Sequence, residues 1–142
     1  MWPSLSPESL RFTLALPGAT PSNNEIKGMH FGAYKTLRTA WQLRVWAALN
    51  GRRPAKPLVK VFLAIDRSCS GAGLDWDNAY GGLKPMLDCL VMPSTRNPSG
   101  LGLILDDNPK SMPYPPYLQQ HTCPQGADST VVRIYDLTSL PS

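Results

Sequence analysis

Asp75 and Asp77 stand two apart in the run Leu74-Asp75-Trp76-Asp77-Asn78, and a second acidic pair, Asp106-Asp107, follows the apolar residues 101–105. In an extended backbone, side chains two apart share a face, so both carboxylates would project together, with Trp76 turned away. Two like charges this close repel by roughly a few kcal/mol at a surface-like dielectric, and a cation between them offsets that repulsion. Oxygen-only ligands suit hard cations, above all Mg²⁺, which takes one or two carboxylates and completes its shell with water and substrate phosphate. The same residue types also make turns and helix starts, because Asp and Asn capture nearby backbone N–H groups, so Asp77 or Asn78 could equally be an N-cap. What favours a site is the company: the second acidic pair, Lys84 between the two acidic groups, and glycines at 81 and 82.

Other chemistries lack their parts. Cys69, Cys89 and Cys123 are odd in number, far apart in sequence and without a CxxC, which argues against a disulfide framework or a zinc site and points to a reducing cytoplasm. Cys89 lies in an apolar run and reads as a small buried hydrophobe. His30 has no visible partner, and no Ser–His–Asp or cysteine-based arrangement is present. Neither a signal-peptide pattern nor an apolar run near the roughly 20 residues that cross a bilayer is found.

The 142 residues fit one domain, and 42% apolar composition provides a core. Fifteen prolines and eleven glycines, mostly clustered, imply long loops. A net charge of +4 is compatible with a polyanionic partner without demanding one.

These groups need elements to position them. Residues 1–9 read as a flexible lead-in, and 10–142 as the domain. Leu10, Phe12, Leu14 and Leu16 alternate as a one-sided strand. Tyr34, Leu37, Trp41, Val45 and Ala48 form a helical stripe over 34–50, ended by Asn50-Gly51. Residues 58–66 read as an inner strand with both faces covered. A turn is expected over 78–82, then a helix over 83–92 that starts near Pro85. Lys84 and Asp88 share a side of it as a surface ion pair. Strands are expected at 101–105, at 117–121 on an edge, and at 129–136. The expectation is a single small α/β domain, a mixed sheet flanked by two helices.

Residues 21–24, Pro-Ser-Asn-Asn, read either as a polar loop or as a loop touching a phosphate backbone. By charge and position Asn23, Asn24, Lys27, Lys35, Arg38, Arg52 and Arg53 are the candidate DNA contacts, although a solvated surface would look the same.

Asp75-Trp76-Asp77-Asn78, then Lys84, then Asp88 with Leu90, then Leu105-Asp106-Asp107, in that order, resemble the RusA family of Holliday-junction resolvases. Residues 16–24, Leu-Pro-Gly-Ala-Thr-Pro-Ser-Asn-Asn, are similar to that family's opening. The likeness spans about residues 10–136. It implies a small α/β homodimer in a bacterial or phage-infected cell, which resolves four-way DNA junctions by paired symmetric nicks with Mg²⁺, Mn²⁺ substituting. It implies Asp75, Asp77 and Asp107 as catalytic metal ligands, Asp106 as a secondary acid and Lys84 as the functional lysine. The 78–84 turn and the 93–100 loop are longer than in the shortest members. Flap or fork cleavage, or junction binding without cleavage, are the alternative activities.

Overall fold

The alternation over 10–16 becomes strand β1, Leu10–Pro17, which buries Leu14 and Leu16 while Thr13 and Ala15 face outward. The computed structural model describes residues 2–138. After β1 come helices α1, Asn23–Lys27, and α2, Phe31–Ala48, then β2, Val61–Cys69. Helices α3, Trp76–Gly81, and α4, Lys84–Leu90, follow, and then β3, Tyr117–Thr122, and β4, Ser129–Asp136.

The sheet runs β1-β4-β2-β3. β4 pairs antiparallel with both β1 and β2, whereas β3 adds to β2 in parallel, so the sheet is mixed. Val61, Leu63 and Ile65 of β2 and Val132 and Ile134 of β4 join Trp41 and Val45 of α2 and Met86 and Leu90 of α4 in one core. α2 lies on α4 and β1. The other side of β2 is covered at Phe62, where Trp2, Tyr114 and Tyr135 gather with ring centroids 5.6–6.3 Å away. Both faces of β2 are thus covered at its apolar start, but the strand begins at Val61 rather than 58: Leu58 makes only an isolated bridge and Val59 is exposed. The lead-in is in contact with the sheet through Trp2, and Pro7–Ser9 form a turn of 3₁₀ helix. Met1 lies outside the described residues.

Four local expectations are corrected. Residues 22–25 do not loop but start α1, because Ser22 and Glu25 close a capping box: the Glu25 N–H donates to Ser22 Oγ at 3.1 Å and the Ser22 N–H to Glu25 Oε1 at 3.3 Å. Of the turn expected over 78–82, residues 78–81 belong instead to helix α3, and the turn falls at 82–83. Residues 101–105 form no sheet strand. They thread between Leu58 and the end of α4, held by isolated bridges at Ile104, and Gly102 at φ +74° breaks the extended run. Lastly, the Lys84–Asp88 pair is not a surface pair at its acid end, since Asp88 is buried.

Candidate functional site

Asp75 occupies the N-cap position of α3, and Asp77 sits in its first turn, so the extended face-sharing expected of them gives way to a helix start. Asp75, not Asp77 or Asn78, is the cap residue, and its carboxylate makes no cap hydrogen bond. Both acids are exposed. Three sides fix the element that carries them. From β3, Gln120 holds the Leu74 peptide, and the Leu118 N–H donates to Tyr80 Oη at 3.2 Å. From α1, the Asn24 N–H donates to Asn78 Oδ1 at 3.1 Å. Behind it, Pro21 and Asn23 press on Gly82 and Gly81 so closely that a Cβ at 82 would fall 1.6 Å from the Pro21 oxygen. The two glycines are there for space, not for an unusual backbone: Gly82 has φ −73°.

The second acidic pair follows residues 101–105. Asp106 is engaged locally, its Oδ1 accepting the Asp107 N–H at 2.7 Å and its Oδ2 accepting from Asn108 Nδ2 at 3.0 Å. Asp107 lines a cavity of about 360 Å³ together with Asp106, Lys84, Asp88 and Asn97. Its carboxyl is held above the ordinary carboxylate range, first by partial desolvation, then by its hydrogen bond with Asp106; Lys84 pulls the other way.

Across that cavity stands a hub that the sequence spacing only half disclosed. Asp88 Oδ1 accepts from Lys84 Nζ at 2.9 Å, and Oδ2 from Tyr34 Oη at 3.2 Å, with Arg38 Nη1 at 3.9 Å. The Asp88 backbone oxygen accepts from Asn97 Nδ2 at 2.7 Å. Burial and the Asp88 charge push the Tyr34 phenol up to about 12. On the far side of this hub opens a cleft of about 480 Å³ lined by Asn23, Arg38, Lys84, Arg96 and Asn97 among others. Cavity and cleft share Lys84, Asp88 and Asn97 as a common wall.

No family model, curated protein or solved structure matches the chain. The likeness to RusA resolvases therefore rests on the motifs and their order.

Of the candidate contacts, Asn23 and Arg38 line the basic cleft with Lys84. Asn24 braces α3 through its backbone N–H and is exposed, and it does not line the cleft. Lys27 and Lys35 are exposed on α1 and α2 and do not line it. Arg52 and Arg53 follow α2, and Arg53 borders a separate groove with Leu43 and Trp46. The acidic cavity gathers Asp107, Asp106 and Lys84 but not Asp75 or Asp77. Among the described residues no three His, Cys, Asp or Glu side chains stand close enough to hold one ion, so within one protomer Asp75, Asp77 and Asp107 form no three-carboxylate cage. The donor chemistry still fits a hard cation that needs only one or two carboxylates: the adjacent Asp106 and Asp107, both exposed, offer oxygen donors at the cavity. Asp88, Tyr34, Arg96, Asn97 and Gln120 were not among the candidates. The i,i+4 spacing of Lys84 and Asp88 and the Asp88–Leu90 motif pointed to Asp88 alone, and neither gave a sign of burial. Among the described residues no helix is long and apolar enough to cross a membrane.

Proposed function

We propose that the chain is a metal-dependent endodeoxyribonuclease acting on branched DNA, the four-way junction foremost, as a homodimer in DNA recombination or repair. One observation supports this reading: an acidic cavity and a basic cleft meet along a shared wall made by Lys84, Asp88 and Asn97. A nuclease needs both within reach of one phosphate, while a surface that only bound DNA would gain nothing from Asp106 and Asp107 at its rim. The motif order shared with RusA resolvases and the net charge of +4 support it.

When bound, a divalent ion such as Mg²⁺ supplies a water of lowered pKa and neutralises charge on the phosphoryl oxygens. Asp107, with Asp106 beside it, would hold that ion from the cavity side. Asp75 and Asp77 lie outside that cavity, and their place in the catalytic site is assigned on the motif alone. Lys84, aimed by Asp88, places a fixed cation beside Asp107 to receive the scissile phosphate. Two copies related by a two-fold axis would nick a junction symmetrically.

The test is cleavage of a synthetic four-way junction in Mg²⁺ or Mn²⁺, with Asp75→Asn and Asp107→Asn alongside. Paired nicks lost in both variants are the expected result. Cleavage of flaps or forks but not junctions would move the substrate class, and tight binding without nicking in either metal would make the chain a binding module.

A further inference from the structure

The basic cleft holds Arg38, Lys84 and Arg96 against a single acid, Asp88, a local excess of positive charge in a concave surface. Asp88 answers them only in part: Lys84 and Tyr34 hydrogen-bond to its two oxygens, while Arg38 forms an ion pair with it at 3.9 Å, beyond hydrogen-bond reach. Arg38 Nε is buried with no partner. A guanidinium carries five donors in a fixed fork, and Asp88 meets this one by charge without a hydrogen bond, so donors are left for a further acceptor. Arg96 reaches the same cleft from the 93–100 loop, which Asn97 anchors to the Asp88 carbonyl, and among the described residues it has no carboxylate partner. Arginine forks match phosphate oxygens two at a time. Asn97 Oδ1, also buried and unpartnered, is an acceptor and takes no part in holding an anion.

We infer that Arg38 and Arg96 form a subsite for a second phosphate of the DNA strand, one that is not cut, seated across the Lys84–Asp88 wall from the acidic cavity. The inference rests on the nuclease reading only in taking DNA as the ligand. Holding a backbone phosphate there fixes the register of the strand, so that the neighbouring phosphate falls beside Lys84 and Asp107.

The experiment is binding of a synthetic four-way junction in EDTA over a series of salt concentrations, for the wild-type chain, Arg38→Gln and Arg96→Gln, each checked for folding by circular dichroism. Each substitution is expected to reduce the slope of log Kd against log salt by about one and to weaken binding about tenfold at 0.1 M salt. A neutral methylphosphonate placed along the strand is expected to weaken the wild-type complex at one non-scissile position and to leave the double variant unaffected there. Arg96 is exposed, so Arg96→Gln reports even if Arg38→Gln does not fold. Wild-type slopes and interference retained in Arg96→Gln and in any folded Arg38→Gln would overturn the subsite. Lost slopes in a chain that never nicks in Mg²⁺ would overturn the nuclease reading and leave the subsite standing. A wild-type chain with no affinity for DNA overturns both.

Discussion

The Gln120 side chain closes both ends of the Leu74 peptide: its Oε1 accepts the Leu74 N–H at 2.9 Å, and its Nε2 donates to the Leu74 oxygen at 2.9 Å. A residue on the edge strand thereby fixes the backbone immediately before Asp75, 46 positions earlier in the chain. Each such bond is worth about 1 kcal/mol net, so Gln120→Ala should speed exchange of the Leu74 amide about tenfold or more. Exchange at Ile65 in the sheet centre should stay as it was. An unchanged Leu74 amide would mean that other contacts hold this loop. The variant should also need more Mg²⁺ for half-maximal nicking, with wild-type affinity for junction DNA in EDTA.

Gly82 meets backbone where a side chain would begin. A Cβ there would lie 1.6 Å from the Pro21 oxygen and 2.7 Å from its carbon, neither of which can swing aside as a long side chain would. Gly82→Ala should therefore cost about 2 kcal/mol or more and displace residues 21–23, carrying Asn23 out of the cleft. Gly71→Ala, with open space around it, is the control and should be neutral. Urea midpoints for the two variants measure the contrast, and equal midpoints would refute the packing.

β1, β2, β4 and α2 were legible because their periodicity extends over eight or more residues and one side of each meets the core. α3 was not, since six residues ending in glycine look like a turn until Pro21 and Asn23 pack on them. Residues 101–105 misled because an apolar run reads alike whether its hydrogen bonds form a ladder or join Leu58 and the end of α4 singly. At the site, residue types and local spacing marked Asp107 and Lys84. The hub around Asp88 was hidden because Tyr34 and Arg38 come to it from α2, about fifty residues upstream, and Arg38 lies off the helix's apolar stripe.

Tyr34 and Cys89 tie stability to alkaline pH. The phenol is pushed from 10.0 up to about 12 by burial and then by Asp88, and the thiol from 9.0 to about 12 by the same causes in the same order. The folded chain therefore keeps protons that the unfolded chain releases. Their contribution is complete below about pH 9 and is lost as pH rises toward 12. Stability measured by urea should fall across that window. Tyr34→Phe should flatten the part above pH 10, because the ring remains beside Arg38 while the titrating group is gone. A variant whose stability falls as steeply as the wild type there would show that Tyr34 is not responsible.

On the proposed function, Asp107 sets stability against ion binding. Its carboxyl is raised by desolvation and by Asp106, so the fold disfavours the ionised form. A raised value means that the group's contribution to stability is present at acid pH and is lost as pH climbs through the folded value; at neutral pH the charge opposes folding. Asp107→Asn removes the charge and leaves an amide able to donate to Asp106. Without metal the variant should be slightly more stable than wild type, the gain kept small by the solvent that reaches the group. Mg²⁺ should then raise the wild-type Tm and leave that of the variant in place, because a ligand stabilises only the chain that binds it. Thermal melts with and without Mg²⁺ decide the matter: a less stable variant that still responds fully to Mg²⁺ would remove Asp107 from the ion's shell and from the catalytic assignment.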